Sequence, residues 1–328
     1  MTKLRLGTVG TSWITEQFIE AAIDSEKYSL EAVYSRSEDQ ATSFKKKFSA
    51  EKIYTNWEEF LNDSNIDVIY IASPNSLHFE QTKDVLKNNK HAIVEKPLVV
   101  SLVEWNELIV LAKKKEKVIV EAARHMFEPN FKKTANIIKK MPKIYGASLS
   151  YSSYSSRYDD VLAGEEPNIF SSKFGGGATN DLGIYVVYAA LYWFGKPKSV
   201  HAFIQKIETG VDGKGTVILR YDEFDVTLDY SKISTSTHKS EIYGPDHTVT
   251  LNAITNISEV DLVDVRTGEI NNVSLDKPSS NPLLWEAYAF AEVIQNNKMH
   301  ENKIKLEQWW ELSKIVHEVL EEIRNQTI

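Results

Sequence analysis

The run IVEKPLVV, from Ile93 to Val100, reads as a buried strand entering a turn, yet it carries Glu95 and Lys96 with Pro97 directly behind. A buried, unpaired ammonium costs several kcal/mol, so Lys96 needs a reason to be there. An ammonium held at a strand end can stabilise negative charge developing on a reacting oxygen. Upstream, VIYIASPNSLH places Ser73, Pro74, Asn75 and His78 at the end of another apolar run. If both runs are strands of one parallel sheet, these groups converge at its carboxyl edge, where open α/β sheets collect ligands. Farther along, GGGATNDLGIY carries Asp181 and Tyr185, four residues apart and on one face if both are helical. Each of these residues also has a purely structural reading. Lys96 could form an ion pair with Glu95 or Asp181, and Tyr185 could belong to the apolar stripe IYVVYAALYWF. Asn75 could be a turn residue, and His78 could open a helix.

A third polar strand end lies near the N-terminus, in GTVGTSWITEQF. A tight strand-to-helix turn brings backbone N–H groups and the helix dipole to a pyrophosphate, which is why glycines recur in such turns. Here the turn from Gly7 to Ile14 keeps Gly10 and fills the next two glycine positions with Ser12 and Thr15. Gly7, Gly10, Thr11, Ser12, Trp13 and Ile14 are candidate cofactor-binding residues. The Ser12 hydroxyl either donates to phosphate or caps the helix that follows. The next strand, LEAVYS, ends in Ser35-Arg36-Ser37, where a carboxylate would mark the ribose 2′-OH of NAD. Ser35 and Arg36 instead offer donors and a fixed charge to a 2′-phosphate, so NADP is favoured, with NAD possible. The simpler alternative is that Arg36 is a surface residue after a strand.

These groups need elements to position them. From Leu4 to about Ala122 short apolar runs alternate with helical patterns, which predicts βαβ units, a parallel sheet and right-handed crossovers. After Glu128-Pro129 the rhythm changes. Val217, Leu219, Tyr221 and then Val226, Leu228, Tyr230 alternate at period two, the pattern of a sheet with one covered face. Helices are expected near 182–194, 283–296 and 306–324, one of them packing back on the first half. The segment 152–177 is the most irregular and long enough for a lid. The predicted fold class is α/β followed by α+β: a doubly wound Rossmann domain over 1–122, then a domain over 123–328 built on a mostly antiparallel open sheet.

At 328 residues the chain has room for two domains with separate cores. It contains no cysteine, which excludes disulfides, thiolate nucleophiles and cysteine-ligated metals. A formal charge of −8 repels nucleic acid and anionic lipid. The lysine runs 45–47 and 113–115 close helical patterns, where cations complement the dipole. No window suits a membrane span, and the N-terminus lacks a signal-peptide core. A cytoplasmic protein with a small-molecule substrate, without nucleic-acid or membrane partners, is expected. Five histidines, His201, His238, His247, His300 and His317, show no metal-ligand spacing, and no metal site is expected.

The ordered set SPNSLH, EKP and GGGATNDLGIY resembles the Gfo/Idh/MocA oxidoreductases over essentially the whole chain. That resemblance implies that Lys96 is the catalytic lysine, that Glu95 and Pro97 fix its turn, and that Asp181 is the active-site aspartate. Tyr185 falls where many members, such as inositol dehydrogenase, have His, whereas the branch resembling glucose-fructose oxidoreductase and dimeric dihydrodiol dehydrogenase has Tyr; that match favours a sugar-like or diol/carbonyl substrate over inositol. Asn75 and His78 match positions near the nicotinamide. Arg124 and His125 are substrate candidates, because Met126 and Glu128 replace the Arg and His of many members. A homodimer or homotetramer through the second-domain sheet is also implied. On this reading Lys96 stabilises an alkoxide while Tyr185 relays its proton, and an ammonium nearby lowers a phenol that ordinarily titrates near ~10. The competing reading is a dinucleotide-binding sensor or assembly protein without turnover, suggested by the departures at Ser12 and Thr15.

Overall fold

The computed structural model describes residues 2–326. The first compact unit comprises Met1–Arg124 and Ser280–Glu311, the second His125–Ser279 and Leu312–Ile328.

In the first unit the chain runs β1 (Leu4–Val9), α1 (Trp13–Asp24), β2 (Tyr28–Tyr34), α2 (Glu38–Phe48), β3 (Lys52–Tyr54), α3 (Trp57–Asn62), β4 (Val68–Ile71), α4 (His78–Lys87), β5 (His91–Glu95), α5 (Leu102–Lys115) and β6 (Ile119–Ala122). All strand pairs are parallel, in the order β3-β2-β1-β4-β5-β6. This is the doubly wound arrangement whose ligands gather beyond the strands' carboxyl ends. β4 (VIYI) and the Ala92–Val94 centre of β5 are buried, as strands covered on both faces must be. Local chemistry sets the helix ends. Ser37 accepts from the Gln40 N–H, Asn56 from Glu58 and Glu59, and Ser101 with Glu104 closes a capping box, each cap contributing about 1 kcal/mol.

The second unit begins with α6 (Pro129–Lys139), β7 (Gly146–Ser152), α7 (Tyr158–Leu162) and α8 (Ile184–Phe194). It continues with β8 (Ser199–Lys206), β9 (Asp212–Arg220), β10 (Asp225–Ser231), β11 (Ser240–Tyr243), β12 (His247–Leu251), β13 (Val260–Asp264) and β14 (Ile270–Asn272). The sheet order is β14-β13-β12-β11-β7-β10-β9-β8, and only the β7–β10 pair is parallel. Val217, Leu219, Val226, Leu228 and Tyr230 have no exposed surface, and α8 lies against β7 and β10 on that face. Helices α9 (Leu284–Gln295) and α10 (His300–Asn325) complete the chain.

Several expectations change. A single boundary at residue 122 is replaced by a first unit that runs to Arg124 and regains residues 280–311. Tyr28 donates to the Ala287 carbonyl at 2.9 Å, Asn281 to that of Gln17 at 2.8 Å, and the Trp310 indole to that of Ile119 at 2.8 Å. These bonds give α9 and the start of α10 their places on the first sheet. Helix α6 adds to the three expected helices, with Pro129 at its first position, where a missing N–H costs nothing. Tyr221 lies past the end of β9 and donates to the Gly195 carbonyl. The irregular stretch 152–177 contains α7 and two short 3₁₀ turns, packed around the fully buried Phe170 with Val161 and Val211. Among the described residues no helix is long and apolar enough to cross a membrane.

Burial also sets the acid stability of the first unit. His91, at the start of β5, accepts the Val118 N–H at 2.9 Å, and burial, with the charge of Lys117, pushes its imidazole down to about 4. Above its ordinary value near 6.5 the ring is neutral folded and unfolded. Between 6.5 and 4 only the unfolded chain takes the proton, so stability falls with pH by roughly 3 kcal/mol in total. The urea midpoint is expected to drop across that window and to drop less in His91→Gln, whose amide oxygen can accept the Val118 N–H. Asp63, held at about 2 by the Asn65 N–H, Lys52 and Tyr54 against its own burial, acts in a separate window below 3.8.

Candidate active site

In the first unit four strand ends line one edge of the sheet. β2, β1, β4 and β5 are consecutive neighbours, and their carboxyl ends carry Ser35-Arg36, Gly10–Ile14, Ser73–Asn75 and Lys96-Pro97. Gly10 has φ +99°, and a Cβ there would lie 2.7 Å from the Ala72 carbonyl oxygen. Backbone of β4's end therefore occupies the place of a side chain. Gly10→Ala is expected to cost about 1–3 kcal/mol from backbone strain alone, read as a lower melting temperature and weaker NADPH binding by fluorescence titration.

The other residues of the turn divide by burial. Ser12 is exposed and makes no capping hydrogen bond to the helix it precedes, so its cap alternative is not realised. Its hydroxyl lies 3.4 Å from that of buried Thr15. Trp13 is 69% exposed and Ile14 half-buried, while Thr11 donates to Gln40 at 2.9 Å. Gly7 sits within β1, where a Cβ would meet the Phe60 ring at 2.9 Å, so packing against α3 accounts for this glycine. Ser35 is buried and accepts the Ser37 N–H. Arg36 is exposed and has no ion-pair partner among the described residues.

The turn carrying Lys96 is held from several sides. The Lys96–Pro97 peptide is cis. The Lys96 N–H donates to Glu95 Oε2 at 3.3 Å, and Tyr70 donates to Glu95 Oε1 at 2.6 Å. Tyr70 is itself fixed by stacking on Phe18, centroids 3.9 Å apart. Burial raises the Glu95 carboxyl, opposed by Tyr70 and by the charges of Lys96 and Arg124. The peptide unit after Pro97 is gripped at both edges: its carbonyl lies 2.8 Å from His78 Nδ1, and its Leu98 N–H donates to Glu121 at 2.8 Å. His78 Nε2 lies 2.8 Å from the Ser73 carbonyl, so one imidazole ties the β4 loop to the β5 turn. Burial pushes that imidazole below its ordinary range, against the pull of the two carbonyls and Glu121. His78 is 1% exposed and does open α4. Ser73 donates to Gln81 at 2.6 Å, and Asn75 begins a 3₁₀ turn. Half-buried Lys96 thus stands on a turn with little freedom and in the field of a buried carboxylate.

In the second unit Asp181 and Tyr185 straddle a change of helix type. Residues Thr179–Gly183 form a π-helical turn that runs into α8, so the regular i, i+4 geometry expected between them does not apply; such turns are frequent at functional sites. The turn is anchored by Asp212, which accepts the Thr179 N–H and hydroxyl at 2.5 and 2.7 Å. Thr179 also contacts the Tyr230 hydroxyl at 2.8 Å. Gly177 has φ +114°, and its missing Cβ would overlap Asp212 Oδ1, which explains the glycine run before the turn. Arg324 donates to Asn180 at 2.8 Å. Asp181 forms an ion pair with Lys232.

Tyr185 is 8% exposed, its ring edge-on to His125 (5.0 Å) and Tyr151 (5.5 Å). His125 has no exposed surface and packs among Phe131, Tyr185 and Tyr188. It backs Tyr185 edge-on. Arg124 is half-buried in the first unit. Glu128 is turned away, accepting the Asn256 N–H at 2.9 Å. Sequence reasoning missed Glu121, Tyr70 and Lys232. A lone carboxylate in the apolar run VIVEA was the available signal for Glu121.

A 3-2-1-4-5-6 parallel sheet with a glycine turn after its first strand defines a dinucleotide-binding protein. Family models match in both halves: "Oxidoreductase family, NAD-binding Rossmann fold" over 4–123 and "GFO/IDH/MocA C-terminal domain" over 145–250. The chain belongs to the GFO/IDH/MocA family and is an NAD(P)-dependent oxidoreductase. It is 37% identical over 323 residues to a scyllo-inositol 2-dehydrogenase (NADP(+)) of Bacillus subtilis, covering 98% of this chain and 97% of that one. A trans-1,2-dihydrobenzene-1,2-diol dehydrogenase of Xenopus laevis is 28% identical over 219 residues, 66% of this chain and 64% of that one. Among solved structures, a 3-ketoreductase of Actinomadura kijaniata bound to NADP and TDP-benzene shares the fold at TM-score 0.85 and 18% identity, covering 99% and 98% of the two chains.

Proposed function

We propose that the protein is an NADP(H)-preferring dehydrogenase acting on a cyclic polyol, sugar or diol and its carbonyl counterpart. The observation that carries this is the Lys96 turn, gripped by His78 and Glu121 on the sheet edge that also carries the Gly10 turn. The residues present suit a dinucleotide. Gly10 lets backbone approach closely, Ser12 makes no capping bond at the start of α1, and Arg36 is without an ion-pair partner among the described residues. Thr11, Trp13, Ile14, Ser35, Ser73, Pro74 and Asn75 complete this cofactor set. His78, Glu95 and Pro97 serve it indirectly, by fixing the loops. The bound nicotinamide supplies or accepts the hydride. Lys96 stabilises negative charge on the substrate oxygen, Tyr185 carries its proton, and Asp181 orients a substrate hydroxyl. The 37% identity to a scyllo-inositol 2-dehydrogenase brings inositols back among the candidates that Tyr185 had disfavoured.

The test is turnover. NADP⁺ reduction is followed with scyllo-inositol, myo-inositol, aldoses and a trans-dihydrodiol, and NADPH oxidation with the matching ketones. Activity on at least one is expected. Tight NADPH binding with none in either direction would overturn the proposal in favour of a dinucleotide sensor.

Arg36 sets the cofactor preference. A charge-assisted bond contributes roughly 1.5–3 kcal/mol, so Arg36→Glu is expected to weaken NADPH binding by about 10- to 100-fold and leave NADH binding nearly unchanged, as measured by fluorescence titration of both. An assembly through the open face of the second sheet is also proposed; Phe203 on β8 is 66% exposed.

A further inference from the structure

Lys232 follows β10 directly and is 1% exposed. No feature of the proposed chemistry calls for a lysine there. Its backbone is fixed on both sides, its N–H donating to the Gly213 carbonyl and its own carbonyl accepting the Ser155 N–H, each at 2.9 Å. Its ammonium pairs with Asp181 and stands 4.7 Å from the centre of the Phe170 ring. Phe170 is fully buried and wedged against Val161 and Val211, so the ammonium is walled off from water by an aromatic face. Asp212 on β9 also feels the charge of Lys232, and burial raises the Asp212 carboxyl against that influence. Tyr230 on β10 faces Asp212 and Arg324, and burial raises its phenol.

The pair is lopsided. The Lys232 side chain is 2% exposed, whereas that of Asp181 is 36% exposed. A buried cation and a half-open anion together present an acceptor outward. The geometry points to Lys232 as a positioning residue that fixes the Asp181 carboxylate as an anion, so that Asp181 accepts a hydrogen bond from a substrate hydroxyl. This rests on the dehydrogenase reading and adds that the substrate must carry such a hydroxyl. Burying a lysine costs several kcal/mol unless it is paired, a cost that surface charge would avoid. Removing it raises the affinity of Asp181 for a proton and frees its side chain to turn.

The experiment compares Lys232→Met, Lys232→Arg, Asp181→Asn and the Lys232→Met/Asp181→Asn double variant of the full chain. It reads kcat and KM against pH on the best polyol of the turnover panel, NADPH affinity, and melting temperature. Lys232→Met is expected to lose at least about tenfold in kcat/KM with NADPH affinity retained, and the acid limb of its pH profile moves up by about one unit. Lys232→Arg keeps that limb at the wild-type position even where its melting temperature falls, and Lys232→Gln, which also removes the charge, stands in for Lys232→Met if the latter fails to fold. The double variant is no slower than Asp181→Asn alone. A Lys232→Met enzyme with the wild-type profile, a shifted limb in Lys232→Arg, or multiplying losses in the double variant would overturn the positioning role. A wild-type protein that binds NADPH but turns over nothing on the panel is a different outcome: it removes the dehydrogenase reading and the positioning role with it.

Discussion

Lys96→Met is expected to lower kcat by about 10²- to 10³-fold while leaving NADPH affinity within a few-fold, the loss typical of one group that stabilises a developing oxyanion. Methionine matches lysine in length and keeps the contacts of the stem, so the variant removes charge and little else. The turn it sits on is fixed by groups other than its ammonium: Glu95 takes the Lys96 N–H, and His78 and Glu121 hold the peptide after Pro97. Losing the ammonium therefore leaves the loop in place. Stopped-flow and steady-state rates, with a parallel NADPH titration, separate a chemical defect from a binding one. A Lys96→Met protein with near-normal kcat would reduce Lys96 to a structural partner of Glu95.

Tyr185→Phe is expected to lower kcat by about 10²- to 10⁴-fold, the range for a positioned acid or base. It deletes one oxygen and keeps the ring that packs edge-on against His125 and Tyr151. The melting temperature should change little. A large fall in stability with a proportionate loss of activity would instead assign the phenol to core packing, which its position in IYVVYAALYWF makes the natural alternative. The two outcomes are distinguished by circular dichroism melts beside the kinetics.

How much of this was legible in the sequence follows from physical range. The alternation of apolar runs and helical patterns from Leu4 to Ala122 is local, and it marked every major strand of the first sheet. β3 has three residues and α3 six, too few for a periodic signal. The polar ends SPNSLH and EKP stood out because charge and proline contradict buried strands. The supports of the turn that carries Lys96 lay elsewhere, in Tyr70, which holds Glu95, and in Glu121, which holds the Leu98 N–H, both brought there by pairings set by the sheet. Residues 280–311 read as amphipathic helices, but an apolar stripe does not say which sheet it covers. Lys232 was the least visible. In DYSKIS it looks like any lysine after a strand, and its carboxylate partner lies 51 residues away.

The ammonium of Lys96 and the phenol of Tyr185 are proposed to act on the same substrate oxygen in one step. Groups that act as a unit lose activity non-additively. The most direct measurement is kcat with NADPH for wild type, Lys96→Met, Tyr185→Phe and the double variant. A double variant no slower than the worse single one is the predicted result. Losses that multiply would contradict it, because each group would then be contributing to a separate event.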